Sequence, residues 1–312
     1  IGDLSLLETS DKSNLVNAVN ENTAEIAATA QKANTDVNEF GMSVKQFGAA
    51  GDGVTDDTQA IQDGIDHLHA IGGGTLFFPD GVYIVKPHLS DWITLKSNVN
   101  LRGNGRNSCI KVGDDVTDYW TIFGNKRGNA EWVENVKISD IRIDQNVERP
   151  ADYKIGYGFH DHEYWRQFCI GIFRFNNIVI ERVDFDPTCA VNSVTINHGD
   201  YEASQDVVIR DCFVRFKRGK GDPDYDNSAF YLHAHRHQAL GNRFVATVGE
   251  RARGCIESHG GPSVIADNLS EGYYTMLNAV ARSGKPSANM SITGNVIYDA
   301  DSGIQLWKDA DA

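Results

Sequence analysis

Short runs of alternating apolar and polar residues recur along most of the chain. ENVKISDIRID (134–144), NNIVIERVDFD (176–186), QDVVIRDCFVR (205–215), HQALGNRFVA (237–246), PSVIADNLSE (262–271) and ANMSITGNVI (288–297) each read as strand, Asn/Asp/Gly turn, strand. Taking Ile138, Ile180, Ile209, Leu240, Ala266 and Ile292 as equivalent gives spacings of about 26–42 residues, the period of a solenoid whose coils stack. Each coil carries another strand upstream: GIFRF (171–175), SVTINH (193–198), AFYLHAH (229–235), GCIESH (254–259), TMLN (275–278) and GIQLW (303–307). The last of these ends beside Trp307 without a visible cap, which predicts the front part of a longer polypeptide.

Two earlier stretches have a different rhythm. In residues 13–40, Val19, Ile26, Ala33 and Phe40 recur every seventh position, with Leu15, Asn22, Thr29 and Asp36 between them. Such a thin, partly polar stripe predicts either a short parallel coiled coil, trimeric in the favoured reading, or a flexible tether. Residues 43–85 predict a short strand, a glycine turn, a helix capped by Thr55 or Asp56, and a glycine stop followed by two strands around Pro79-Asp80-Gly81. Asp56 and Gln59 form a capping pattern, Ile61, Ile65, Leu68 and Ile71 supply the buried stripe, and Gly72, Gly73 and Gly74 end the helix.

FGAAGDGVTDDTQAIQ followed by GGGTLFFPDGVYIV resembles the opening of the pectate-lyase-like, single-stranded right-handed β-helix superfamily, where this helix caps the solenoid and the second motif begins its first coil. The resemblance implies an all-β parallel β-helix with an N-terminal capping helix, here preceded by the short coiled coil. Three segments follow: a stalk over 1–40, the cap and first coil over 41–96, and the β-helix from 97 to 312. That domain order also resembles tailspikes and appendages of bacteriophages, in particular the pre-neck appendages of small Bacillus phages. What this implies is a homotrimer joined to virion neck or tail proteins, made in the host cytoplasm and acting on cell-wall teichoic acid or polysaccharide. A shared β-helix does not by itself fix the chemistry.

Composition narrows the partners. A net charge of −14 opposes nucleic acid and anionic surfaces, so an anionic ligand needs a local basic site. No apolar run is long enough to insert in a membrane, and the first residues lack the pattern of a signal peptide. Five scattered cysteines without a CxxC pair read as small buried hydrophobes of a chain made in a reducing compartment.

Candidate chemistry gathers in FYLHAHRHQ (230–238) and GCIESH. Setting Ile196, Leu232, Ile256, Leu277 and Leu306 inward places Asn197, His233, Glu257, Asn278 and Trp307 in one outward column. His198, His235 and His259 then form a second column, and a strand spacing of about 4.8 Å lets His233 touch Glu257. Acid and base side chains on neighbouring coils make an active groove on a scaffold without a pocket; the plainer alternative is a polar histidine ladder. His233, Glu257, His259 and His235 are thus the candidate catalytic residues. Asn197, His198, Arg174, Arg236, Arg251 and Trp165 are the candidate substrate contacts. Trp165 lies in the polar insertion GFHDHEYWRQF (158–168) with His160, Asp161, His162, Glu163 and Arg166. The sequence specifies no cofactor, although Asp222, Asp224 and Asp226 alternate like the start of a divalent-cation loop that lacks its glycine and distal glutamate. Histidine, carboxylate and arginine suit a phosphodiester better than a glycoside. Asp184, Asp186 and Asp211, which could serve a glycosidase, fall on the other strands of each coil. Adhesion without cleavage, and glycoside hydrolase or polysaccharide lyase action, stand as alternatives.

Overall fold

The computed structural model describes residues 19, 20, 22–26, 41–125, 131–153, 167–197, 204–219, 227–250, 252–281 and 289–308. Backbone contacts divide the chain into two units, 1–42 and 43–312. In the first, residues 19–20 and 22–26 are helical, and Val19 and Ile26 are 53% and 71% exposed. The remaining positions of the expected stripe, Leu15, Thr29, Ala33, Asp36 and Phe40, lie outside the described residues.

The second unit is a right-handed parallel β-helix of three sheets, with successive strands passing to the first, second and third sheet in turn and pairing in parallel from coil to coil. Helix α1 (Thr58–Ala70) packs Ile61, Ile65, Leu68 and Gly64 inward. An added β-carbon on Gly64 would stand 2.7 Å from Leu76, so the helix approaches the first coil only because that position is bare. Ile71 departs from the expected stripe: it is 61% exposed, because the helix ends at Ala70 and the chain turns through Gly72 and Gly73 in left-handed conformations. The expected capping pair is also redistributed. Asp57 occupies the N-cap but spends its buried carboxylate on the backbone amides of Ala50 and Gly51, 2.6 and 3.0 Å away. Asp56 instead accepts from the Thr58 amide at 3.0 Å, and Gln59 donates along the helix to Asp63.

Within the solenoid, Ile138, Ile180, Ile209, Ala239 and Ile265 stack in register and are fully buried. Ala239 and Ile265 replace the expected Leu240 and Ala266. Alternation could not choose between two adjacent apolar residues, but the turn does: Asp140, Arg182, Asp211, Gly241 and Asp267, each two residues past the inward position, all adopt positive φ. Asn242, Asn268 and Asn295 then form an internal ladder, with side-chain bonds of 2.9 Å between neighbours. All five cysteines are free and buried, as expected of small hydrophobes. Burial pushes the Cys109 thiol up to about 11 and those of Cys189 and Cys212 up to about 12.

Candidate functional site

The third sheet carries His233 and His259. Its strands are β1 (Ile93–Thr94), β2 (Thr121–Gly124), β3 (Phe168–Ile172), β4 (Val194–Asn197), β5 (Ser228–His233), β6 (Ala252–His259), β7 (Tyr273–Ala281) and β8 (Ser302–Lys308). Between β4 and β5 the expected register holds, with Ile196 beside Leu232 and Asn197 beside His233. At β6 it shifts by two residues. His233 stands beside His259, Tyr231 beside Glu257, and Leu232 beside Ser258. Further on, Glu257 pairs with Asn278, Asn278 with Gln305, and Val280 with Trp307.

The inward place beside Leu232 is taken by Ser258, a fully buried hydroxyl whose Oγ lies 2.7 Å from His237 Nε2. Matching aliphatic with aliphatic put Ile256 beside Leu232, whereas Ile256 belongs beside Phe230. Because strand side chains alternate with period two, a two-residue slip preserves which face each residue occupies. The outward residues therefore still meet, in different pairs.

Glu257 and His259 touch within one strand: His259 Nε2 is 2.6 Å from Glu257 Oε1, and the two side chains are 13% and 6% exposed. Ser228 donates to the other carboxylate oxygen at 2.9 Å. Burial acts to raise the Glu257 carboxyl, but the bond and charge of His259, the Ser228 hydroxyl and the Arg253 guanidinium together hold it below the ordinary carboxylate value. An ionised carboxylate only accepts, so His259 donates from Nε2, while its Nδ1 is buried and finds no partner among the described residues. The Tyr231 ring lies against His259 with centroids 4.7 Å apart, and the His233 ring follows at 5.6 Å. His233 Nδ1 is 3.3 Å from Asn197 Oδ1. The assembly is a buried carboxylate–imidazole pair beside a second imidazole, with the parts needed to remove one proton and deliver another.

Of the candidates, His233, Glu257, His259 and Asn197 come together. His235 does not: it is the first residue of the first-sheet strand His235–Leu240, exposed beside Gln205 rather than in the histidine column. Arg236 follows it with φ 57°, in the column of left-handed residues Asn135, Asn177 and Asp206, and its guanidinium grips Asp206 at 2.6 Å. Arg174 sits in the turn after β3, over the Trp132 ring at 5.0 Å. His198, Arg251, Trp165 and its neighbours 160–163 and 166, and Asp222, Asp224 and Asp226 lie outside the described residues. Asp184 and Asp186 are on the second sheet, where Arg106 binds both. Tyr231, Ser228 and Arg253 were missed from the sequence, whereas Asn278 stood in the expected outward column beside Glu257. The two-residue spacing from His233 to Tyr231 was a usable signal, since both project from the same face.

Residues 41–211 match the family described as rhamnogalacturonase A/epimerase, pectate lyase-like. The pre-neck appendage protein of Bacillus phage phi29 is 28% identical over 84% of this chain and 30% of its own. Alginate lyase 7 of Azotobacter vinelandii is 34% identical over 49% of this chain and 19% of its own. Among solved structures, the tailspike of E. coli bacteriophage HK620 in complex with a hexasaccharide shares the fold, with a TM-score of 0.74 and 17% identity over 89% of this chain and 49% of that one. The chain spans less than half the length of each of these proteins.

Proposed function

Because the chain belongs to the rhamnogalacturonase A/epimerase, pectate lyase-like family, we propose that it is a phage tailspike or appendage whose β-helix binds a host cell-wall polymer and cuts it, the bond being a phosphodiester of wall teichoic acid. The virion placement rests on the likeness to the phi29 appendage across most of the chain. The chemistry rests on one observation, the Glu257–His259 hydrogen bond with His233 alongside. In this reading Glu257 orients His259, whose Nδ1 takes the proton of the attacking hydroxyl. His233, in its charged form, delivers a proton to the departing alkoxide. Arg253 is the nearby cation able to offset charge building on the phosphoryl oxygens, a role for which the sequence suggested Arg174, Arg236 and Arg251. Incubating purified wall teichoic acid with the protein should release small phosphorylated fragments. Retained binding without release would leave adhesion as the function.

A second reading, cleavage of a surface glycan by hydrolysis or elimination, draws on Tyr231 packed against His259 and on the alginate lyase relative. Products separate the two: phosphomonoester ends for the first, new reducing ends or unsaturated uronates for the second.

A further inference from the structure

Away from the histidine site, the second sheet carries a cluster of cations. Its inward residues Ile143, Phe185, Val214 and Phe244 stack in register and are fully buried. Strand alternation therefore turns their neighbours Arg142, Asp184, Phe213 and Arg243 outward in one column, with Arg215 two residues beyond Phe213 on the same face. Three guanidinium groups surround the Phe213 ring: the Cζ atoms of Arg215, Arg243 and Arg106 are 5.4, 5.9 and 6.0 Å from its centroid. They differ in what holds them. Arg106 is engaged by both Asp184 and Asp186. The ion pairs of Arg215 with Asp186 and of Arg243 with Glu271 are 3.5 and 4.0 Å long, too long for a charge-assisted hydrogen bond, and the two arginine side chains are 50% and 60% exposed. Two such cations on adjacent coils repel each other. A chain of net charge −14 would meanwhile turn an anionic polymer away unless a local basic site received it. An anionic group lying across the ring answers both demands.

We propose that Arg215 and Arg243, flanking Phe213, form an anchoring site for a linear polyanion, on a different sheet from the Glu257–His259 pair. The planar guanidinium matches the paired oxygens of phosphate and carboxylate alike. The ligand is therefore a chain with a repeating anionic group, the phosphodiester of a teichoic acid or the carboxylate of a uronate glycan. The site rests on the polymer-binding reading above for the identity of its ligand, and it does not require that the polymer be cut.

Equilibrium binding of the intact protein to labelled ribitol phosphate and oligouronate chains of equal length tests the site. The wild type should bind at least one of them, and the tighter of the two identifies the anionic group. Arg215→Gln combined with Arg243→Gln should weaken that binding about 10-fold or more and flatten the rise of Kd with salt. Lys86→Gln combined with Lys96→Gln removes the same charge from other ion pairs and should bind as the wild type does. Both double variants change exposed ends of side chains and should melt within a few degrees of wild type. Three results overturn the proposal: a wild type that binds neither chain, an arginine variant with unchanged Kd and salt dependence, or a lysine variant weakened as much as the arginine one. Binding that is lost with the arginines, in a protein that releases no fragments from wall polymer, keeps the anchor and rejects the cleavage.

Discussion

Glu257 has two environments at once: its burial would favour a neutral acid were it alone, yet its partners keep it charged. That balance has consequences for the pH dependence. A carboxyl held below its unfolded value stabilises the fold fully above about pH 4.3, and the stabilisation is lost as pH falls through the lower folded value. Glu257→Gln should therefore flatten the acid side of the stability profile, read by thermal melts from pH 3 to pH 6, roughly the range over which carboxyls titrate. In activity, Glu257→Gln and His259→Ala should each lower turnover by about 10²–10⁴-fold. The double variant should be little worse than the worse single one, because the two side chains act as a unit. Additive losses would mean that the hydrogen bond does not couple them in the reaction. Glu181 supplies a comparison without catalytic meaning. Its side chain is 2% exposed and meets Lys137, Arg182 and Arg210. Burial would raise its carboxyl, but those three bonds prevail and bring it down to about 2. The cations are about half exposed, so screening reduces the contribution to ~1–2 kcal/mol. Glu181→Gln should lower the melting temperature at neutral pH and leave polymer turnover unchanged.

At the scale of the element, the pairing of β5 with β6 shows how far a sequence can be read. Period-two alternation and turn residues suffice to find the strands and the cap helix, since those depend on local pattern, although the inward face was misplaced by one residue at Ala239 and Ile265. The register did not follow, because the inward place expected for an aliphatic side chain is filled by Ser258, which bonds to His237 of a different sheet. His237 is fully buried, with Nδ1 2.9 Å from the Ala234 carbonyl, to which it donates, and Nε2 accepting from Ser258. His237 was visible in the sequence as one of a histidine cluster, and nothing in its spacing separated this structural imidazole from its outward neighbours. Arg236 misled in a similar way: nearness in sequence suggested a ligand contact, whereas its left-handed backbone turns it onto Asp206. Burial lowers the His237 imidazole to about 4. The neutral form belongs to the folded state, so stability should fall as pH drops from about 6.5 towards 4 and no further from this group. Ser258→Ala leaves Nε2 without its donor and should cost about 1–3 kcal/mol, with the loss visible in denaturant midpoints at pH 7. A melting curve for His237→Gln with the same pH slope as wild type would show that the imidazole does not titrate on unfolding.

For the whole molecule, the open question is how many chains make one particle. A lone amphipathic helix with a stripe as thin as Val19 and Ile26 has little to hold it in water, and both side chains are largely exposed in the single chain. Association of copies would cover the stripe, and β-branched residues spaced seven apart are suited to a parallel seam. For the wall-binding appendage proposed above, several weak polymer sites acting together would also add avidity. We expect the intact protein to be a homotrimer held in part by residues 13–40. For the 312-residue chain, light scattering coupled to size-exclusion chromatography should give three times its mass of 34.4 kDa. Val19→Asp with Ile26→Asp should shift that mass towards the monomer and weaken retention on wall polymer. Turnover of short soluble fragments should remain, because the pair at Glu257 and His259 is built within one chain. A monomer for the wild-type protein would refute the trimer, and loss of fragment turnover together with the trimer would place part of the active site on a neighbouring protomer.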